Sequence, residues 1–99
     1  MDRITKEIYN GTSLYRRTGG KKSRKEQVMN MHRFAKWLKQ AHPEVKSLGQ
    51  LGRRQVCNFW RSHAEKSESY KRSLYYSIRY IWKEILHRSS EPPHFEKIK

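Results

Sequence analysis

Tyr70, Leu74, Ile78, Ile81, Trp82 and Ile85 recur at intervals of mostly three and four residues, and that spacing leaves little choice of backbone. A strand would send members of the set to opposite faces, whereas a helix gathers them within an arc of roughly 120°. Ser67 or Ser69 stands where a hydroxyl accepts the free N–H groups of a first turn. Ser89-Ser90-Glu91-Pro92-Pro93 ends the pattern after about residue 88. The spacing therefore predicts one long amphipathic helix, which needs partners to cover its apolar side.

Two further segments supply them. Val28, Met31, Phe34, Ala35 and Leu38 share one face of a helix over about 24–40, stopped by Ala41-His42-Pro43 because proline disfavours helix before it. Val56, Phe59 and Trp60, with His63 at the border, give an inward face to a helix over about 53–65. Between them, Ser47-Leu48-Gly49-Gln50-Leu51-Gly52 suits a turn that drops two leucines onto a core. Residues 1–22 show no sustained apolar period and hold Gly11, Gly19 and Gly20. They are expected to form a flexible basic arm with at most a short helical turn near Ile4–Tyr9. Residues 89–99 are expected to be a tail or linker. The fold class is thus all-α: a small bundle of three main helices in residues 23–88, plus that short N-terminal turn.

A chain of 99 residues has room for one modest core. Its apolar fraction is only 34%, but three Trp, six Tyr and three Phe make each buried position count. Twenty-three Lys and Arg against nine Asp and Glu leave a formal charge of +14. Self-repulsion on that scale opposes compaction and is relieved by a polyanion, nucleic acid first among them. No segment approaches 18 consecutive apolar residues, so a membrane-spanning segment is not expected and a cytoplasmic, nucleoid-associated location is.

Angular placement sorts the charge. On the third helix Arg72, Tyr76, Arg79 and Lys83 lie within about 60° opposite the apolar arc, bordered by Tyr80 and His87. On the first, Lys22, Lys25, Met29, Arg33 and Lys36 lie within about 80°. Glu26 and Glu84 fall off both stripes. Like charges one turn apart repel by a few tenths of a kcal/mol per pair, a cost that bound phosphates reverse. A stripe opposite a core is ordinarily just a solvated face, but such a face mixes signs, and these do not. With Arg16, Arg17, Lys21 and Lys22 of the arm, they are the candidate DNA-binding residues. Tyr70 and Tyr75 are assigned to the core edge, while a hydroxyl at Tyr76 faces the basic side.

Catalytic chemistry has little material. Histidines 32, 42, 63, 87 and 94 show no i, i+4 pair with a carboxylate, and Cys57 has no second cysteine, so neither a metal nor a cofactor is expected. No phosphate-binding loop or nucleophile elbow is present, and Gly19-Gly20 alone does not make one. A partly buried thiol is the expectation for Cys57, and a non-enzyme is the expectation for the chain.

Three segments together resemble a known family: Met31-His32-Arg33-Phe34-Ala35-Lys36-Trp37-Leu38, then Leu48-Gly49-Gln50-Leu51 leading into Gln55-Val56-Cys57-Asn58-Phe59-Trp60, then Ser69-Tyr70-Lys71-Arg72-Ser73-Leu74 through Ile78-Arg79-Tyr80-Ile81-Trp82. They are similar to the core-binding domain of phage-type integrases, the tyrosine recombinases, over roughly residues 23–88. The resemblance implies a SAM-like helical bundle forming half of a DNA clamp, with contacts from Lys25, Arg33, Lys36, Arg72, Arg79 and Lys83. The family's catalytic set belongs to a separate C-terminal domain for which nothing after Arg88 is long enough. The chain then reads as an integrase binding domain or as a free-standing accessory or regulatory factor of a mobile element. Gly52 stands where the family offers a Thr or Asp cap, which weakens the expected start of the second helix.

The sequence is therefore read as a non-catalytic double-stranded DNA binder, with a recombinase or other DNA-bound protein as a further partner. Two alternatives remain beside it: an RNA-binding, ribosome-associated protein, and a basic module docking an acidic or recombinase surface.

Overall fold

The computed structural model describes residues 2–13, 15 and 22–97, and among them the protein is all-α, with four helices and no strand. The first is α1, Arg3–Gly11. Asp2 caps it, its Oδ1 accepting the Thr5 N–H at 2.9 Å. Ile4 and Ile8, one turn apart, are buried in the common core, and the Thr12 hydroxyl closes the end by donating to the Ile8 carbonyl at 2.8 Å.

This corrects the expected arm: residues 3–12 are part of the bundle, while residues 14 and 16–21 lie outside the described residues. Two isoleucines are too few to show a period in sequence. A nine-residue helix is also too short to hold by itself and exists through its packing.

The second helix, α2, spans Lys22–Ala41 and buries Met31, Phe34, Ala35 and Leu38, while Val28 is only half-buried. It ends where Pro43 requires. A 3₁₀ turn, Leu48–Gln50, then sinks Leu48 and Leu51 into the core as their spacing predicts, and the Leu48 N–H donates to Glu7 Oε1 of α1 at 2.9 Å.

Helix α3 spans Arg53–Ser62 around Val56, Phe59 and Trp60. Gly52 is its N-cap, and Gln55 Oε1 accepts the Gly52 N–H at 2.8 Å, so the missing cap side chain is compensated from inside the helix. The helix stops three residues short of the expected 65. The Ser62 hydroxyl donates to the Phe59 carbonyl at 2.9 Å, and a turn with Lys66 N–H on the His63 carbonyl comes next.

Helix α4, Glu68–Tyr80, is capped by Ser67, whose hydroxyl accepts the Tyr70 N–H at 3.2 Å. It continues as a π-helical turn, Ile81–Ile85, that keeps Ile81 and Trp82 in the core. His87 then reverses the chain at φ 55°, and Arg88 N–H bonds the Trp82 carbonyl at 3.3 Å. This closure of a left-handed helix end spans one residue more than the usual six-to-one bond, as the wider π-helical turn before it requires.

The C-terminal segment is not a tail or linker, a second correction. Pro92 and Phe95 are buried, Trp60 Nε1 donates to the Pro93 carbonyl at 2.9 Å, and Trp82 Nε1 donates to Ser90 Oγ at 3.2 Å. Both indole N–H groups need acceptors once their rings are buried, and this segment brings them. Phe95 completes the contact, edge-on to Trp60 with centroids 5.4 Å apart.

Candidate nucleic-acid interface

The site is built on the seam between α2 and α4. The Asn30 side-chain amide donates to Ser73 Oγ at 3.0 Å, and the Ser77 hydroxyl donates to the Gln27 carbonyl at 3.0 Å and also contacts Gln27 Oε1. Asn30 and Ser77 are fully buried, so these bonds are obligatory rather than decorative. Gln27 faces Ser77 and Asn30 faces Ser73, which makes the two helices antiparallel.

That pairing decides where the stripes point. Counting about 100° per residue from the seam, Arg33, Met29 and Lys36 lie roughly 80–140° round α2, and Tyr76 and Arg72 roughly 90–130° round α4. Met31 and Ala35 on α2, and Leu74 and Ile78 on α4, turn the opposite way into the core. The two stripes therefore open onto one side of the helix pair. Arg33, Lys36, Arg72, Tyr76 and Arg79 are all exposed there, Lys83 is half-buried, and Lys25 is exposed farther round α2, about 160° from the seam. Met29 and Tyr76, 51% and 56% exposed, are the large apolar side chains of this face. Arg16, Arg17 and Lys21 lie outside the described residues, and Lys22 begins the backbone of α2.

The stripes are less bare of acid than their sequence suggests. Arg72 Nη2 pairs with Glu68 Oε1 one turn back at 3.1 Å, and Arg33 Nη1 lies 3.6 Å from Glu26 Oε1 while donating to Asn30 Oδ1 at 2.6 Å. Glu91, from the C-terminal segment, takes the two remaining cations of the α4 stripe, Arg79 and Lys83. Arg79 Nε donates to its Oε2 at 2.8 Å, Arg79 Nη2 to Oε1 at 3.3 Å, and Lys83 Nζ to Oε1 at 3.1 Å. These bonds, Arg79 first and Lys83 second, hold the Glu91 carboxyl below its ordinary range. Glu91 in turn raises Arg79. Lys25 and Lys36 make no ion pair among the described residues.

Glu68 was legible as an i, i+4 partner of Arg72. Asn30 and Ser73 carried a weaker signal, small polar residues bordering the apolar faces of their helices. Glu91 carried none, because its contact depends on the chain reversal at His87.

No group of three or more His, Cys, Asp or Glu among the described residues is placed to hold a metal ion. No helix among them is long and apolar enough to cross a membrane. Cys57 is a half-buried free thiol. The face offers guanidinium, ammonium and phenol donors and no nucleophile with a base beside it. Chemically it is a surface of cationic and neutral donors. Compared with known proteins, the chain matches no family model, no curated protein and no solved structure.

Proposed function

We propose that this chain binds double-stranded DNA through the α2–α4 face and performs no catalysis. The observation that carries this reading is the convergence of Arg33 and Lys36 with Arg72 and Tyr76 on one side of an antiparallel helix pair. From Lys25 to Lys36 is about 16 Å of helix axis, a length over which duplex DNA carries about ten phosphate charges. The cations of the two helices, spaced one to about two turns apart, are fewer than those phosphates, and each offers a contact for one of them. The Tyr76 hydroxyl adds a donor for phosphate or a base edge.

The resemblance in core spacing to integrase core-binding domains extends the reading: the duplex is a recombination site, and the chain acts there as binding domain or accessory factor beside a recombinase. A nucleoid-associated location belongs to the same proposal.

Salt titration tests it. With about six phosphates neutralised, log K falls with log[salt] at a slope near −5. A slope near zero refutes the electrostatic interface. Replacing Arg33, Lys36 and Arg72 together with Ala is expected to weaken duplex binding at least tenfold with the helical circular-dichroism signal intact; unchanged affinity moves the site elsewhere.

One observation favours RNA as a second reading. The Tyr76 ring, 56% exposed amid the cations, is suited to stack on an unpaired base. Competition among duplex DNA, single strands and duplex RNA at fixed salt separates the two.

A further inference from the structure

We infer that Arg79 and Lys83 form an exchangeable anion site at the end of the basic face, in which the Glu91 carboxylate holds the place of a backbone phosphate. This rests on the proposed nucleic-acid reading of that face and names how it is regulated. Three charged donors converge on the two carboxylate oxygens: Arg79 Nε at 2.8 Å, Arg79 Nη2 at 3.3 Å and Lys83 Nζ at 3.1 Å. A guanidinium fork reinforced by an ammonium is the arrangement that accepts the two non-bridging oxygens of a phosphodiester equally well.

The pair is also built to exchange. The side chains of Arg79 and Glu91 are 47% and 51% exposed, and ion pairs so open to water contribute little to stability and are released at little cost. What keeps Glu91 in reach is not its own carboxylate. Arg53 Nη2 donates to the Glu91 carbonyl at 3.2 Å, Ser90 and Pro93 accept the two indole N–H groups, and Pro92 is buried. The backbone therefore stays docked while the side chain swings off. A tethered carboxylate returns at high effective concentration, so an anion that binds weakly is displaced and one that brings several phosphates at once is not. Glu91 thus sets a threshold: isolated anions are excluded, and a polyanion engaging the rest of the face opens the site.

Glu91→Gln keeps the shape and removes the competitor. It is expected to tighten duplex binding three- to tenfold at moderate salt. Glu96→Gln, the same charge change in the same segment, is expected to change it less than twofold. In an Arg79→Ala/Lys83→Ala background the gain from Glu91→Gln is expected to vanish. Equal effects of the two Gln variants, or a gain that survives without Arg79 and Lys83, overturn the inference. So does an Arg79→Ala/Lys83→Ala protein that binds like the parent while the Arg33/Lys36/Arg72 variant is weakened; the duplex reading then stands. Titration with inorganic phosphate, followed at the Arg79 Nε–H resonance, reads the site directly. A shift at lower phosphate in Glu91→Gln than in the parent supports it even if no duplex binds, whereas no shift in either protein refutes it.

Discussion

Asn30 and Ser73 join α2 to α4 through a half-buried hydrogen bond of 3.0 Å, and the free oxygen of the same amide receives Arg33 Nη1 at 2.6 Å. One fully buried side chain thus ties the core seam to the exposed basic face. Asn30→Ala deprives the Ser73 hydroxyl and Arg33 of their shared partner in that seam. A loss of about 2 kcal/mol in urea unfolding is expected, within the range for a buried polar group deprived of its partner. Ser73→Ala in the Asn30→Ala background is expected to cost much less than in the parent. Strict additivity of the two changes would show that the bond contributes nothing.

Gly11 ends α1 against the side chain of Ile85, where an added Cβ would lie 2.8 Å from Cγ1 and 2.9 Å from Cδ1. Ordinary helix propensity favours Ala over Gly by about 1 kcal/mol, but the overlap forces α1 away from the π-helical turn. Gly11→Ala is therefore expected to destabilise by about 1–3 kcal/mol, the usual cost of overpacking. Shortening Ile85 to Ala in the same protein should recover part of it. A more stable Gly11→Ala protein in calorimetry would mean that α1 packs otherwise.

His87 holds φ 55°, a left-handed conformation that costs a side chain about 1 kcal/mol and glycine nothing. Its position after the last turn is the one at which helices favour glycine. His87→Gly is expected to raise stability by about 0.5 kcal/mol, since glycine's greater freedom in the unfolded chain offsets part of the relief. For a domain of this size that is a rise in Tm of roughly 2–4 °C. A lower Tm would assign His87 a contact worth more than its strain.

Asp2 caps α1 and also accepts Lys39 Nζ at 2.6 Å. The Lys39 bond first, and the Thr5 N–H second, hold its carboxyl well below the ordinary 3.8. Its folded form therefore ionises more readily than its unfolded form. The resulting stability is present above about pH 4 and is lost as pH falls below that value. The side chain is 39% exposed, so the contribution is small and salt-screened. The gap in urea midpoint between the parent and Asp2→Asn should be steady from pH 6 to pH 5 and close on acidification. A gap that does not change with pH would exclude the carboxylate as its cause.

Helices α2 and α4 were legible residue by residue because each carries enough apolar side chains to display its own period, and their basic sides come by subtraction. The leucines of the 48–51 turn were legible for a similar reason: a glycine between them and another after them leave them no long element to join. Helix α1 was not. Ile4 and Ile8 become a face only when α2 and the π-helical turn are there to receive them. The segment after Arg88 reads as polar and proline-broken, yet it is folded, because Trp60 and Trp82 bury indole N–H groups whose acceptors happen to lie on it.

Local spacing thus determined by itself helices α2 and α4, with their apolar and basic sides, since periodicity acts over a few residues and needs no partner. Only the tertiary structure decided that the two basic sides face the same way and that Arg79 and Lys83 share one carboxylate. The first depends on the antiparallel seam at Asn30 and Ser73, the second on a reversal at His87 that returns Glu91 along α4. Both are relations between elements, set by how buried surfaces and buried polar groups are satisfied across the fold, and no stretch of chain carries them alone.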